Sequence, residues 1–166
     1  MKFIILFSIF LLSSFLSFSN SFSKEIDLLN SLSPALPYSN GTPSAAKGKT
    51  IVHYWATWCS SCIPEMRVLV DFLKNHSKEY DQFFLVSLDD NQQKYAFFWK
   101  ELEKEKGLPH SKNIYTFLDP KRSLSKIGIT MVPETHIFFN GKRIRNIIGN
   151  NDWMNKSFIN FLQEVK

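Results

Sequence analysis

Two runs of mainly apolar and β-branched residues stand out in the pattern of hydrophobic and polar positions, at residues 50–56 and 83–88. Short runs of apolar and β-branched residues are typical of strands buried on both faces of a sheet. Between the two runs, from about residue 60 to 78, apolar side chains recur at helical spacing. These side chains are Ile63, Met66, Leu69, Val70 and Leu73. The pattern therefore predicts a strand, a helix and a second strand.

The middle of the chain continues this alternation. Asp89-Asp90-Asn91 provides side chains that favour the start of a helix, and Gly107 is expected to end that helix. A short strand at 114–118 and a short helix at 123–127 follow.

The C-terminal part predicts a β-hairpin and a last helix. Residues 135–139 and 143–148 flank Asn140-Gly141, a strong signal for a tight hairpin turn. Asp152 is expected to cap the final helix, which has apolar side chains along one side. Together these elements predict an α/β fold with a central mixed β-sheet and helices on both of its faces.

The N-terminus has the pattern of an export signal. Lys2 precedes an apolar stretch at 3–18, and Ser21-Phe22-Ser23 offers small residues at cleavage spacing. Sixteen helical residues span about 24 Å, which is short of a hydrocarbon core of about 30 Å. We therefore expect a cleaved signal peptide at 1–23, with an uncleaved anchor as the alternative. A lead-in segment at 24–49 and a folded domain at 50–166 follow, located in the periplasm or at the outer face of the cytoplasmic membrane.

The positive charge of the chain is spread out rather than concentrated. The formal net charge is +5, but no basic run is interleaved with aromatic residues that could stack on bases. This pattern favours a solvated surface, and we expect no nucleic-acid partner.

Cys59 and Cys62 are the only cysteines, and they directly follow the first apolar run in Trp58-Cys59-Ser60-Ser61-Cys62. A strand that leads into Cys-x-x-Cys predicts both thiols in the first turn of the next helix, where free N–H groups and the helix dipole favour an anion. The thiolate attacks disulfides, and the thiol pKa at such sites is about 3.5–7.5. We interpret Cys59, at the exposed start, as the nucleophile and Cys62 as the resolving thiol.

The alternatives to a redox pair are a structural disulfide and a metal site. A structural disulfide across so short a loop removes little entropy from the unfolded chain. Two thiols fall short of the four ligands that zinc prefers. Copper(I) accepts two soft ligands, and His136 is then the first histidine to consider as a further ligand. The flanking residues favour a redox pair and no metal.

The motifs resemble those of the exported thiol–disulfide oxidoreductases of the TlpA/ResA type, which have the thioredoxin fold and include the cytochrome c maturation thioredoxins. The likeness covers residues 47–166. It rests on Tyr54-Trp55-Ala56-Thr57-Trp58 before the cysteines, on Glu65 after them, and on Val132-Pro133-Glu134-Thr135. Two departures are Arg67, where the family usually has a helix-kinking proline, and Pro64, two residues after Cys62.

The resemblance also implies roles for several residues. Pro133 matches the cis-proline opposite the cysteines, so Val132 and Pro133, with Trp58 at the rim, are expected to bind an extended substrate segment. Glu65 lies on the helix face of Cys62 and is expected to exchange a proton with that thiol. His53 takes the place of a buried aspartate of thioredoxins, so it is a candidate proton acceptor with a pKa near working pH. The alternative for His53 is a hydrogen-bonded or partly exposed strand histidine.

By the same resemblance, the chain is expected to be an enzyme that reduces exported protein disulfides through the redox-active Cys59–Cys62 disulfide, without an organic cofactor. Apocytochrome c is the leading substrate, a membrane electron carrier is the expected donor, and a monomer is the expected state. The alternatives are a disulfide oxidase or isomerase and a copper(I)-binding chaperone.

Overall fold

A computed structural model describes residues 24–25, 27–29, 31–35, 37–38 and 48–166 of the chain. The expected signal peptide at 1–23 lies outside the described residues. Among those that are described, six strands form one sheet in the order β1-β4-β3-β2-β5-β6. The strands are β1 (Ser33–Pro34), β2 (Lys49–Trp55), β3 (Gln82–Ser87), β4 (Ile114–Leu118), β5 (Glu134–Phe139) and β6 (Lys142–Ile148). Strands β2, β3 and β4 are parallel, and the other pairings are antiparallel.

The helices are α1 (Cys62–Asn75), α2 (Gln92–Lys106) and α3 (Lys156–Glu164), and a 3-10 helix spans Ser123–Ile127. The predicted mixed sheet with flanking helices is confirmed, and most predicted bounds lie within three residues of the observed ones. The buried strands β2 and β3 explain the two apolar runs, because every residue of β3 is buried and only Lys49 of β2 is not fully so.

One face of the sheet carries the three α-helices. Helix α1 is joined to α2 by ion pairs from Arg67 to Glu105 and from Asp71 to Lys106. Its contacts with α3 and with the segment before α3 are aromatic: Phe72 packs against Trp153 and against Phe158 of α3, with ring centroids 5.4 and 6.3 Å apart. Aromatic packing of this kind supplies much of the buried apolar area that holds the helices to the sheet.

The lead-in segment contributes to the opposite face and to one edge of the sheet. Strand β1 pairs with β4, and Leu29 is fully buried. Glu25, in a short helical stretch, reaches Tyr54 of β2 and His136 of β5. The folded unit therefore includes residues of the lead-in as well as residues 50–166.

The ends of α2 are as predicted from the sequence, whereas the predicted N-cap of α3 is not. Asn91 caps α2 by accepting the N–H of Lys94 at 2.9 Å, and Gly107 ends that helix with φ of 65°. The prediction that Asp152 caps the final helix is wrong. Asn155 does so, because its extended backbone lets its side chain accept the N–H groups of Ser157 and Phe158.

The hairpin turn has the geometry that Asn-Gly favours. Asn140 and Gly141 both have positive φ, 48° and 76°. This is the requirement of a type I′ turn, which matches the twist of the flanking strands. Strands β5 and β6 then pair from Glu134–Ile148 to Phe139–Lys142, with one irregularity between Ile137 and Phe138.

Candidate active site around Cys59 and Cys62

The two cysteines form a disulfide at the start of α1, with their Cα atoms 5.3 Å apart. Cys62 is the first residue of α1 and is completely buried, whereas Cys59 is 7% exposed. The prediction that both thiols lie inside the first turn is therefore corrected, because Cys59 sits in the turn that precedes the helix. Cys59 is the sulfur nearer to solvent, as expected for the partner that meets a substrate.

Polar groups converge on the sulfur of Cys59. The backbone N–H of Cys62, which also donates to the Cys59 carbonyl at 3.1 Å, points to this sulfur at 3.2 Å. The hydroxyl of Ser61 lies 3.5 Å from the same atom. After reduction, these donors and the helix dipole would stabilise negative charge on Cys59.

The loop before β5 faces the disulfide. The Val132–Pro133 peptide bond is cis, as expected, and the Val132 carbonyl lies 3.5 Å from the Cys59 sulfur. Pro133 is buried, and its carbonyl accepts the N–H of Gly149 at 2.9 Å. An extended segment bound beside Val132 would therefore pass directly over Cys59.

Two large apolar side chains next to Cys59 and Val132 in the chain are exposed, and we call them the apolar rim. Trp58 is 53% exposed and Met131 is 60% exposed, large fractions for side chains that normally pack inside. The guanidinium of Arg122 stands 5.4 Å from the centroid of the Trp58 ring, a cation–π contact that orients the indole. Arg122 was not singled out from the sequence, since nothing near it in the chain connects it to the cysteines.

A buried carboxylate fixes the strand end that carries the motif. Asp89, 1% exposed, accepts the Thr57 N–H at 3.0 Å and the Thr57 hydroxyl at 2.6 Å. The hydroxyl of Ser87 donates to the same carboxylate at 2.6 Å. Asp89 was expected as a residue at the start of a helix, but its side chain holds the loop that leads into Cys59.

Glu65 is buried, and three donors from the loop after β6 satisfy its carboxylate. They are the Asn151 N–H at 3.0 Å, the Trp153 indole N–H at 2.9 Å and the Asn150 amide at 3.2 Å. Burial raises the pKa of Glu65, and the hydrogen bonds from Asn151 and Trp153 oppose that shift in part. Asn150 also donates to the carbonyl of Ser61 at 2.9 Å. Glu65 thus ties the cysteine turn to a distant loop, and its proton exchange with Cys62 stays a prediction.

His53 lies on β2, completely buried, with Nδ1 2.9 Å from the Thr135 hydroxyl and its ring 5.4 Å from that of Trp153. Within the described part of the chain, Nε2 has no hydrogen-bond partner. The expectation of a pKa near working pH is wrong, because complete burial lowers the pKa of His53 to about 3. The imidazole is therefore neutral at physiological pH, and its role as a proton acceptor stays a prediction.

Pro64 and Arg67, the two departures from the family pattern, leave α1 intact. Pro64 occupies the first turn, where a backbone N–H has no partner inside the helix, so no helical bond is lost. Arg67 pairs with Glu105 of α2 at 2.9 Å and also donates to the carbonyl of Ile63 at 3.3 Å. The helix thus runs unbroken through the position where the family usually has proline.

The histidine considered for copper is held elsewhere. Both ring nitrogens of His136 are engaged by carboxylates, Glu25 at 2.9 Å and Glu134 at 2.8 Å. In the described ranges, no group of three or more histidine, cysteine, aspartate or glutamate side chains is arranged to bind a metal ion.

Four residues of the site escaped the sequence interpretation: Arg122, Asn150, Asn151 and Trp153. The two asparagines follow the end of β6 and carry no motif, so only the folded chain brings them to Glu65. Trp153 was available as a signal, since a large aromatic with one polar N–H usually finds a partner when buried.

Comparison with known proteins agrees with this architecture. The thiol–disulfide oxidoreductase ResA of Oceanobacillus iheyensis is 27% identical over 121 residues, which cover 72% of this chain and 59% of that protein. The chain thus spans about six-tenths of that relative. The resemblance drawn from the motifs is confirmed, and the relative supports the expected oxidoreductase class.

Two solved structures share the fold. StoA of Bacillus subtilis has a TM-score of 0.52 at 23% identity, covering 72% of this chain and 85% of that one. A putative thiol:disulfide interchange protein DsbE of Chlorobium tepidum has a TM-score of 0.52 at 18% identity, covering 70% and 76%. At these identities the likeness concerns the fold alone.

The family comparison covers most of the chain, including the disulfide, the cis-proline and the first part of β6. The Redoxin family model matches residues 21–144. The chain therefore belongs to the Redoxin family.

Proposed function

We propose that this protein is an exported thiol–disulfide oxidoreductase that works through the Cys59–Cys62 couple. One observation carries the proposal: the more exposed sulfur of a disulfide at a helix start lies 3.5 Å from the carbonyl that precedes a cis-proline. A nucleophilic sulfur and a backbone edge for an extended chain are thus side by side. The named relative ResA supports the reaction class.

The chemistry needs only the two sulfurs and a disulfide substrate. The thiolate of Cys59 attacks one sulfur of the substrate, so that a mixed disulfide forms and one substrate thiolate leaves. The thiolate of Cys62 then attacks the Cys59 sulfur. That step closes the Cys59–Cys62 disulfide and releases the second substrate thiol. Two electrons pass to the substrate, its two sulfurs each take up a proton, and the protein is oxidised.

Binding would use the loop before β5 and the apolar rim. A substrate in extended conformation could pair its backbone with that of Val132, in the manner of strand addition. Trp58 and Met131 would cover apolar side chains on either side of the substrate cysteine. These exposed side chains are the part of the site that selects among substrates.

We infer that the physiological direction is reduction of selected exported disulfides, with the cysteines of apocytochrome c as the leading substrate. Export rests on the N-terminal pattern of Lys2 and the apolar stretch at 3–18. In an oxidising compartment a cysteine pair stays oxidised unless it is reduced. A membrane electron carrier would therefore recharge the couple. The described residues include no helix that is long and apolar enough to cross a bilayer.

Trapping of partners tests the proposal. In Cys62→Ser the second attack cannot occur, so mixed disulfides through Cys59 should accumulate in the producing cell. Cys59→Ser is the matched control and should trap none. If Cys59→Ser instead captures partners and Cys62→Ser does not, the roles of the two sulfurs are reversed. If neither does and the wild type reduces no disulfide peptide, the function is wrong.

The equilibrium potential of the couple against glutathione decides the direction. A reductase should lie near the value of thioredoxin, about −270 mV, and a strong oxidant near about −120 mV. Since about 30 mV corresponds to about 1.4 kcal/mol for two electrons, the two cases are well separated. A value near the oxidants would replace the reductase proposal with the oxidase or isomerase alternative.

The proton roles have separate tests. If Glu65 exchanges a proton with Cys62, Glu65→Gln should shift the pH dependence of the second step in stopped-flow measurements. If His53 accepts that proton, His53→Asn should shift it too. The low pKa of His53 argues that this second shift will be small.

A further inference from the structure

Four buried side chains form a polar chain on the face of the sheet opposite α1. Glu25, Tyr54, Glu134 and His136 are exposed by 3%, 0%, 7% and 2% respectively. The Tyr54 hydroxyl donates to Glu25, His136 Nδ1 lies 2.9 Å from the same Glu25 oxygen, and His136 Nε2 lies 2.8 Å from Glu134. We call these residues the Glu25–Glu134 relay. None of them takes part in the sulfur chemistry described above.

The two carboxylates of the relay favour a protonated imidazole between them. Two buried carboxylates without a cation would be costly, because burial penalises each unpaired charge by several kcal/mol. Only an imidazolium has two N–H donors, one for Glu25 and one for Glu134. Burial by itself lowers the pKa of His136, but the hydrogen bonds and charges of Glu134 and Glu25 outweigh burial and raise that pKa.

The groups that face the relay come from each packed element. Tyr54 of β2 stays protonated, since burial and the charge of Glu25 raise its pKa. Its ring lies 5.3 Å from that of His136. Arg143 of β6 is the cation that acts on Tyr54 from the outer strand, and Glu25 is the contribution of the lead-in segment.

The relay ends at the loop that faces the disulfide. Glu134 directly follows Pro133, and the Val132 carbonyl before that proline lies 3.5 Å from the Cys59 sulfur. The bond of the Glu134 carboxylate to His136 adds a side-chain link to the backbone pairing of Glu134 with Tyr54 and Ile148. The bonds from Glu134 to His136 and from His136 to Glu25 therefore link the residue after the loop to the lead-in segment.

We propose that His136 and Glu25 are positioning residues, which hold the loop of Met131, Val132 and Pro133 in its substrate-binding geometry by clamping Glu134 from the N-terminal lead-in. The catalytic part of this inference rests on the proposed thiol–disulfide exchange. The effect on the position of the loop does not depend on that proposed function. Since the Glu25–Glu134 relay contacts no sulfur, it should govern substrate binding and leave the sulfur chemistry unchanged.

The first test is kinetic and uses the exported chain, with a synthetic peptide that contains an intramolecular disulfide as substrate and dithiothreitol as electron source. Glu25→Gln should raise KM about tenfold, close to the lower end for one charge-assisted hydrogen bond, and leave kcat within about twofold. The Cys59–Cys62 potential should not change. His136→Gln should give the same rise, and the double variant should add little to either, because the residues act as one chain.

The pH dependence separates positioning from simple stabilisation. In the wild type, KM should rise as His136 loses its proton, above the ordinary value of 6.5. In Glu25→Gln the rise should begin at lower pH, because one of the two charges that hold the proton is gone. Glu164→Gln makes the same chemical change at an exposed position and should match the wild type.

A second measurement keeps the inference testable even if the protein reduces no disulfide. Amide hydrogen exchange should speed up at Met131, Val132 and Glu134 in Glu25→Gln, with β2 and β3 unaffected. Uniform loss of protection across the sheet, or unchanged KM and loop exchange in a folded Glu25→Gln, would overturn the inference. A wild type that fails to reduce the peptide while its loop exchange responds to Glu25→Gln refutes only the proposed function.

Discussion

The buried imidazole of His53 predicts a specific acid sensitivity. Its pKa is 6.5 in the ordinary, solvated state and about 3 in the folded protein. A histidine whose folded pKa is lowered resists protonation in the fold but not in the unfolded chain. The free energy of unfolding is therefore unaffected above about pH 6.5 and falls as the pH drops from 6.5 toward 3.

The magnitude follows from the shift. Each pKa unit is worth about 1.36 kcal/mol, so the two units between pH 6.5 and 4.5 remove about 2.7 kcal/mol of stability. His53→Asn keeps a side chain that can bond Thr135 but cannot ionise in this range. The variant should be less stable at neutral pH, because Asn fills less of the site beside Trp153. Its unfolding free energy should nevertheless fall less steeply with acid than that of the wild type.

Urea denaturation of the oxidised protein at about pH 7.5, 6.5, 5.5 and 4.5 measures this difference. Glu65 acts in the opposite sense, because its raised pKa makes the folded state more stable as the pH falls. Glu65 is present in both proteins, so its contribution cancels from the difference between their unfolding free energies. His110→Asn, at an exposed position, should follow the wild-type curve. Parallel curves for His53→Asn and the wild type would refute the reasoning, because they would mean that His53 ionises equally in both states.

Three further substitutions test other parts of the fold, each by urea denaturation followed by tryptophan fluorescence. Glu65→Gln should lower the free energy of unfolding by about 1–2 kcal/mol at pH 7, because an amide cannot accept all three donors. Asn155→Ala should cost about 1 kcal/mol as a lost helix cap, whereas Asp152→Ala should cost much less; the reverse order would contradict the cap assignment. Gly48→Ala should cost more than about 1 kcal/mol, since φ is +78° and its Cβ would lie 2.1 Å from Asp81 Oδ2. An unchanged midpoint would mean that the turn relaxes freely.

The local pattern was sufficient wherever one short segment specifies its own conformation. The apolar runs predicted β2 and β3, Asn140-Gly141 predicted the hairpin turn, and Gly107 predicted the end of α2. The spacing of Cys59 and Cys62 likewise predicted two sulfurs able to pair at a helix start. In each case the physical cause lies within a few residues: side-chain alternation, a positive φ, or an unpaired N–H.

The resemblance to a family added what local pattern could not supply. It placed Pro133 and Val132 opposite the cysteines, and the structure has a cis bond and a 3.5 Å contact there. It could not supply the state of His53. Whether a strand histidine is solvated or enclosed depends on what covers that face of the sheet, and here Trp153 covers it.

By itself, the sequence determined the order of the strands and helices from β2 onward, the turn residues and the pair of sulfurs, but it did not predict β1. Only the tertiary structure decided which polar groups meet around them. Glu65 binds Trp153, 88 residues along the chain, and His136 binds Glu25, 111 residues away. The physical reason is that burial and pKa depend on strand register and on the face each side chain occupies. Register and face are set by the packing of the whole sheet, so a local sequence pattern cannot reveal the burial or the pKa of a residue.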